Sequence, residues 1–135
     1  LVNLLQRDAV FISDGGGKAK ASRIPIRGAR RIAKFLFAVR DKNGSDDYYI
    51  GHLNNALALV GYFEKRPVFV HVFEVSAQGI GNSYAIRNPD KLRLFSDFEK
   101  LVRAGDLIPL RIFFKTSQKL RIAREVIFRK ITNWI

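Results

Sequence analysis

An α+β domain is what this sequence predicts, and three features carry the prediction. From Gly28 onward, one amphipathic stretch sets Ala29, Ile32, Ala33, Leu36 and Phe37 on a single helical stripe. Three β-rich runs follow at 55–63, 68–75 and 79–87, separated by loops of hairpin length, so an antiparallel meander is expected. The chain has 135 residues, 47% of them apolar and 11 of them Phe, which suits one domain with one buried core.

Taken in order, Leu1, Leu4 and Leu5 recur at helical spacing and predict a helix end over 1–6, followed by a strand over 9–13 that runs into Gly15-Gly16-Gly17. Residues 23–27 read as extended, because Pro25 fixes its own φ and restricts Ile24. The amphipathic helix should stop by Asn43-Gly44, and 48–51 can add a short element before the meander. In the middle strand Val68, Val70 and Val72 share one face with Glu74, while Phe69, His71, Phe73 and Val75 share the other, so both faces should be covered. After the meander, 96–104 reads as a helix with Ser96 as N-cap and Gly105 as its stop. The run 107–114 holds Pro109, which leaves an edge strand or a short helix. Leu120, Ala123, Ile127, Ile131 and Trp134 predict a last helix over 117–134 whose other side carries Lys119, Arg121, Arg124, Arg129 and Lys130.

Composition removes several function classes. With no Cys there are no disulfides and no thiolate metal sites, and neither a metal-ligand pair at helical spacing nor a nucleophile elbow nor a carboxylate dyad is present. No cofactor or metal is therefore expected. The longest apolar runs, 35–39 and 68–73, fall well short of the roughly 18 residues a membrane span needs, and no secretory signal opens the sequence. A cytoplasmic protein with no membrane partner is the expectation. There is no Met, and the first residues read like mid-helix, so a piece of a longer chain is expected.

The formal charge of +12 favours an acidic partner. It is unevenly placed, for Gly15 to Arg40 contains no acid, yet holds Lys18, Lys20, Arg23, Arg27, Arg30, Arg31, Lys34 and Arg40. A basic stretch is commonly just a solvated face, and without interleaved aromatics this one does not suit a single-strand binding platform.

Two short strings stand above this background. Asp14-Gly15-Gly16-Gly17-Lys18 follows a strand, and Asn88-Pro89-Asp90-Lys91-Leu92 follows the meander. Triple glycine allows φ > 0 and close approach of another group, Asp14 can cap exposed amides, and Lys18 can pair with an acid. Asn88-Pro89-Asp90 is a turn former by composition, which leaves Lys91 with a free charge.

As an ordered pair these strings resemble the SnoaL-like C-terminal domain fused to extracytoplasmic-function sigma factors, which carries DGGG-Lys/Arg near its start and NPDKL at its end. Residues 25–29, 65–67 and 86–87 are also similar, and the likeness spans 1–94. It implies a nuclear-transport-factor-2-like cone, a curved antiparallel sheet wrapped on a long helix, with the family's usual first helix missing. It further implies a regulatory domain over 1–95 that is not an enzyme. Such a domain docks on the sigma core regions of its parent chain, modulates RNA polymerase engagement and transcription initiation, and reaches DNA only indirectly. The implied partner-binding residues are Asp14, Gly15, Gly16, Gly17 and Lys18 with Asn88, Pro89, Asp90, Lys91 and Leu92. Residues 96–135 lie outside the likeness and are expected to form a basic helical tail, packed on the domain or on the partner in a homodimer.

Two other classes compete with docking. Cones of this type also resemble isomerases and cyclases, so Phe69, His71, Phe73 and Tyr84 form a candidate pocket for an apolar small ligand. His71, Tyr84 and Asp14 are then the groups a proton-transfer enzyme would use. A His among Phe side chains is otherwise an ordinary core residue. The third class is nonspecific nucleic-acid binding through the basic face.

Overall fold

The computed structural model describes residues 2–40 and 47–110. The last expected helix, 117–134, lies outside the described residues. Val2–Leu4 make one 3₁₀ turn, and strand β1 (Leu5–Asp14) begins where the opening helix was expected. The leucine spacing fits one helical turn, but Leu5 instead pairs with Ile80 and sits in the core, with Leu4 packed beside it. Tertiary pairing overrides a periodicity only six residues long.

Strand β2 (Ile26–Arg27) and helix α1 (Ala29–Arg40) follow, the strand held where Pro25 keeps the chain extended. Strand β3 (Asp47–Leu53), where a short further element was expected, pairs antiparallel with β4 (Ala56–Phe63), which with β5 (Arg66–Ser76) and β6 (Gly79–Ile86) forms the expected antiparallel meander. Asn88 then caps a short helix α2 (Pro89–Leu92), so its expected turn is also a helix start. Helix α3 (Phe98–Arg103) is capped by Asp97, not Ser96, because it is the Asp97 carboxylate that reaches the Lys100 amide. Strand β7 (Leu107–Leu110) resolves the ambiguous apolar run as an edge strand, pairing with β3 at the rim where Pro109 has no inner ladder to interrupt.

The sheet order is β2-β1-β6-β5-β4-β3-β7. All pairings are antiparallel except β1 with β6, which are parallel, so the sheet is antiparallel but for that one seam. The intervening helix and hairpins return the chain to the side from which it started. Register shifts between Gly61 and Tyr62 and between Phe73 and Val75 bend the long strands, and the sheet is curved and unclosed.

Strand alternation divides the core between the two faces. On one, α1 lays Ile32 and Ala33 over Leu5, Ala9, Phe11 and Ile80, with Phe73 and Ala85 packed against them. On the other, the segment from α2 to α3 covers Ala58, Val60, Tyr62 and Val70 with Leu92, and Leu107 of β7 joins the same cluster. The middle strand is thus covered on both sides, as its unbroken apolar run implies. Phe37, at the margin of the α1 stripe, stays 54% exposed. Tyr62 is fully buried, and its hydroxyl donates to the Phe95 carbonyl at 3.0 Å. Burial, and then the neighbouring Tyr49, push that hydroxyl up to about 12.

Candidate functional site

The end of β1 and the end of β6 lie side by side because the two strands run parallel, with Asp14 opposite Ile86. This brings the glycine motif and the proline motif together. The Asp14 carbonyl accepts from the amides of Arg87 at 2.7 Å and Asn88 at 3.1 Å, so the parallel ladder runs directly into the second motif. Arg87 adds a side-chain bond to the Lys20 carbonyl at 3.1 Å.

Two ion pairs then cross between the motifs. Lys18 Nζ lies 2.7 Å from Asp90 Oδ2, and Lys91 Nζ lies 2.7 Å from Asp14 Oδ2. The other oxygen of Asp14 accepts from the Gly16 amide at 2.8 Å, while Asn88 Oδ1 accepts from the Asp90 amide at 3.1 Å. Lys91 is therefore not the free charge its turn context suggested: it closes a clip. The lysines beside Asp14 and Asp90 hold both carboxyls below the usual carboxylate range.

Gly16 is the contact point of the clip. Its φ is +58°, and a Cβ there would fall 2.3 Å from Asn88 Nδ2, so both backbone angle and space demand glycine. Gly17, at φ +72°, faces open space. Leu92 anchors the second motif in the core at 4% exposure, and Leu94, two residues on, is 79% exposed. The outcome is a group of four charges that are already matched, with exposed glycine backbone in the first motif and an exposed leucine two residues past the second.

The candidate pocket does not assemble as expected. Phe69, His71 and Phe73 do share a face, and His71 lies 5.3 Å from the Phe11 ring and 4.2 Å from the Phe73 ring. Tyr84, however, pairs with Val72, whereas His71 pairs with Ala85, so Tyr84 lies on the opposite face of the sheet. The Tyr84 hydroxyl donates to Glu74 Oε1 at 3.0 Å, and the Asn82 side chain donates to Glu74 Oε2 at 2.9 Å. Glu74 and Asn82 line a polar groove of about 290 Å³ with Gln6, Asp8 and Ser76. Asp14 is committed to the clip. The three groups a proton-transfer centre would need are thus kept apart.

His71 reads as a core residue at 6% exposure, with Nε2 buried and lacking a hydrogen-bond partner. Burial pushes its pKa down to about 4, so it is neutral at physiological pH. What sequence reasoning missed was the crossing of the ion pairs. Asp14 and Lys18 at the two ends of one motif, with Asp90 and Lys91 side by side in the other, were the available signal.

No family model matches this sequence, and no curated protein does. Among solved structures, the extracytoplasmic-function sigma factor SigJ of Mycobacterium tuberculosis matches with a TM-score of 0.54 at 22% identity, over 68% of this chain and 37% of that one. This chain therefore spans little more than a third of the length of that sigma factor. A de novo designed protein with a curved β-sheet matches at a TM-score of 0.45 and 12% identity, over 73% of this chain and 77% of that one. A protein from Bacillus subtilis named as an isomerase matches at 0.39 and 16%, over 73% and 78%. Among the described residues no helix is long and apolar enough to cross a membrane, and no three acidic or His side chains gather as a metal site would require. Curved and open, with seven strands among the described residues and α1 on one face, the chain has the nuclear-transport-factor-2-like cone fold and is similar in structure to part of the sigma factor SigJ.

Proposed function

We propose that this chain is a non-catalytic regulatory module of a sigma factor, which docks through the clip face on the promoter-binding regions and so modulates RNA polymerase engagement. The observation that carries this reading is the crossed clip itself. Asp14, Lys18, Asp90 and Lys91 neutralise one another, so a partner can cover them without burying unpaired charge, which would be costly. Exposed Leu94 supplies the apolar anchor such a contact needs, and Gly16 and Gly17 let another backbone come close. The likeness of this chain to 37% of the sigma factor SigJ supports the reading.

The test is binding of this chain to separately produced sigma core regions from the same source, followed by calorimetry. Leu94→Glu should weaken binding at least tenfold, whereas Val2→Glu, in the 3₁₀ turn that precedes β1, should leave it unchanged. Equal binding by the two variants would overturn the reading.

A further inference from the structure

Of the cations in the acid-free stretch, only Lys18 pairs within the clip, and the fold gives several of the others a definite place. Arg27 lies on β2, the outermost strand of the sheet, and α1 begins two residues later. Arg30, Arg31 and Lys34 all lie within about 100° of one another around the helix. Arg23 precedes β2 in the adjoining loop, and the Arg7 carbonyl of β1 lies beside Gly28, which links strand to helix. These six side chains are exposed, and among the described residues none of them forms an ion pair. One edge of the domain therefore carries six unmatched cations, while the clip beside it carries matched ones.

We propose that this edge makes a direct, sequence-independent contact with the phosphate backbone of duplex DNA. The inference goes beyond the docking reading, in which DNA is reached only through the sigma regions. Two observations favour a phosphate backbone over an anionic membrane. A helix that lies in a bilayer surface needs a free apolar face, but α1 has spent its own, with Ile32 and Ala33 buried and Ala29, Phe35 and Leu36 packed against the same cluster. Phe37 is the large apolar side chain of α1 left outside. Five of the six cations are Arg, whose planar fork matches phosphate oxygens two at a time, where Lys offers a point charge. Phe37 is the one exposed aromatic beside these cations among the described residues, and a single ring does not make the run of stacking platforms that single strands use.

The experiment titrates the full chain with a nonspecific duplex of about 20 base pairs at several salt concentrations. Affinity should fall linearly with salt on logarithmic axes, with a slope of about −0.9 for each phosphate contacted. The triple variant Arg30→Glu, Arg31→Glu, Lys34→Glu should lose tenfold or more in affinity and flatten the slope by roughly 3 units. A charge-matched control, Arg66→Glu, Lys100→Glu, Arg103→Glu, should keep most of the binding. The milder variant with Gln at 30, 31 and 34 should fall between the triple variant and the parent, and all variants should unfold at the parent's temperature. An equal loss in the control would reduce the effect to net charge and overturn the proposal. So would binding to phosphatidylserine vesicles that the triple variant abolishes while duplex binding persists. Because no sigma region is present in the assay, its failure would leave the docking test untouched.

Discussion

Two turns at the same end of the sheet are each tied down by exposed lysine-carboxylate pairs, yet they meet their backbone demands in opposite ways. At the clip, the left-handed angles fall on Gly16 and Gly17, at φ +58° and +72°. In the two-residue turn between β4 and β5 they fall on Glu64 and Lys65, at +47° and +63°, with Lys65 Nζ reaching Glu99 at 3.0 Å. The paired positive angles are those of the hairpin turn that matches strand twist, for which Asn and Gly are the usual residues. The difference lies in space: a side chain at Gly16 would strike Asn88, whereas Glu64 and Lys65 are exposed. Close approach enforces glycine at the clip, while the open hairpin leaves room for side chains at the same angles.

Gly16→Val breaks the comparison most severely. It adds both the left-handed penalty and a collision with Asn88, and should destabilise the fold by about 2–4 kcal/mol in denaturant unfolding. Acid provides the next largest effect, through the core beneath both turns. With a folded pKa of about 4 against an ordinary 6.5, His71 contributes stability in full above 6.5 that is lost as pH falls from there toward 4, because the unfolded chain takes up a proton the buried ring excludes. The loss should be on the order of 3 kcal/mol, and unfolding curves of His71→Phe should lack it.

Glu64→Asn with Lys65→Gly should move stability the other way, raising it by about 1–2 kcal/mol, since both new residues accept the turn's angles. Binding to sigma core regions should not change in that variant. The smallest effects belong to the ion pairs themselves, which are exposed and screened by salt. Lys91→Ala and Lys65→Ala should each shift the unfolding midpoint less than any variant above, with the difference shrinking at high salt. Asp14, Asp90 and Glu99 are all held below their ordinary values by lysine partners. The stability these carboxylates add is present above those values and disappears as pH falls through the lower folded ones, a window that opens at the acid end of that of His71 and extends below it. A pH scan of His71→Phe should therefore retain only the lower step.

Legibility in the sequence followed the length of the signal. The α1 stripe, the three meander runs and the two-faced middle strand were readable because each repeats one period over several residues. The helix expected over 1–6 and the Ser96 cap rested on one turn or one residue, and the pairing of Leu5 with Ile80 and the reach of Asp97 replaced them. The resemblance to isomerase cones puts Tyr84 with His71, and strand register, which no local pattern reveals across a hairpin, puts it on the other face.

By itself, the sequence determined the α+β character, the covered middle strand, the two motifs and the acid-free stretch, all properties of neighbours along the chain. Only the tertiary structure decided that β1 and β6 run parallel, and from that single pairing comes the meeting of residues more than seventy positions apart. Local spacing encodes which side chains share a face of one element. It cannot encode which ends of two distant strands coincide, because that depends on how the whole sheet closes over its core.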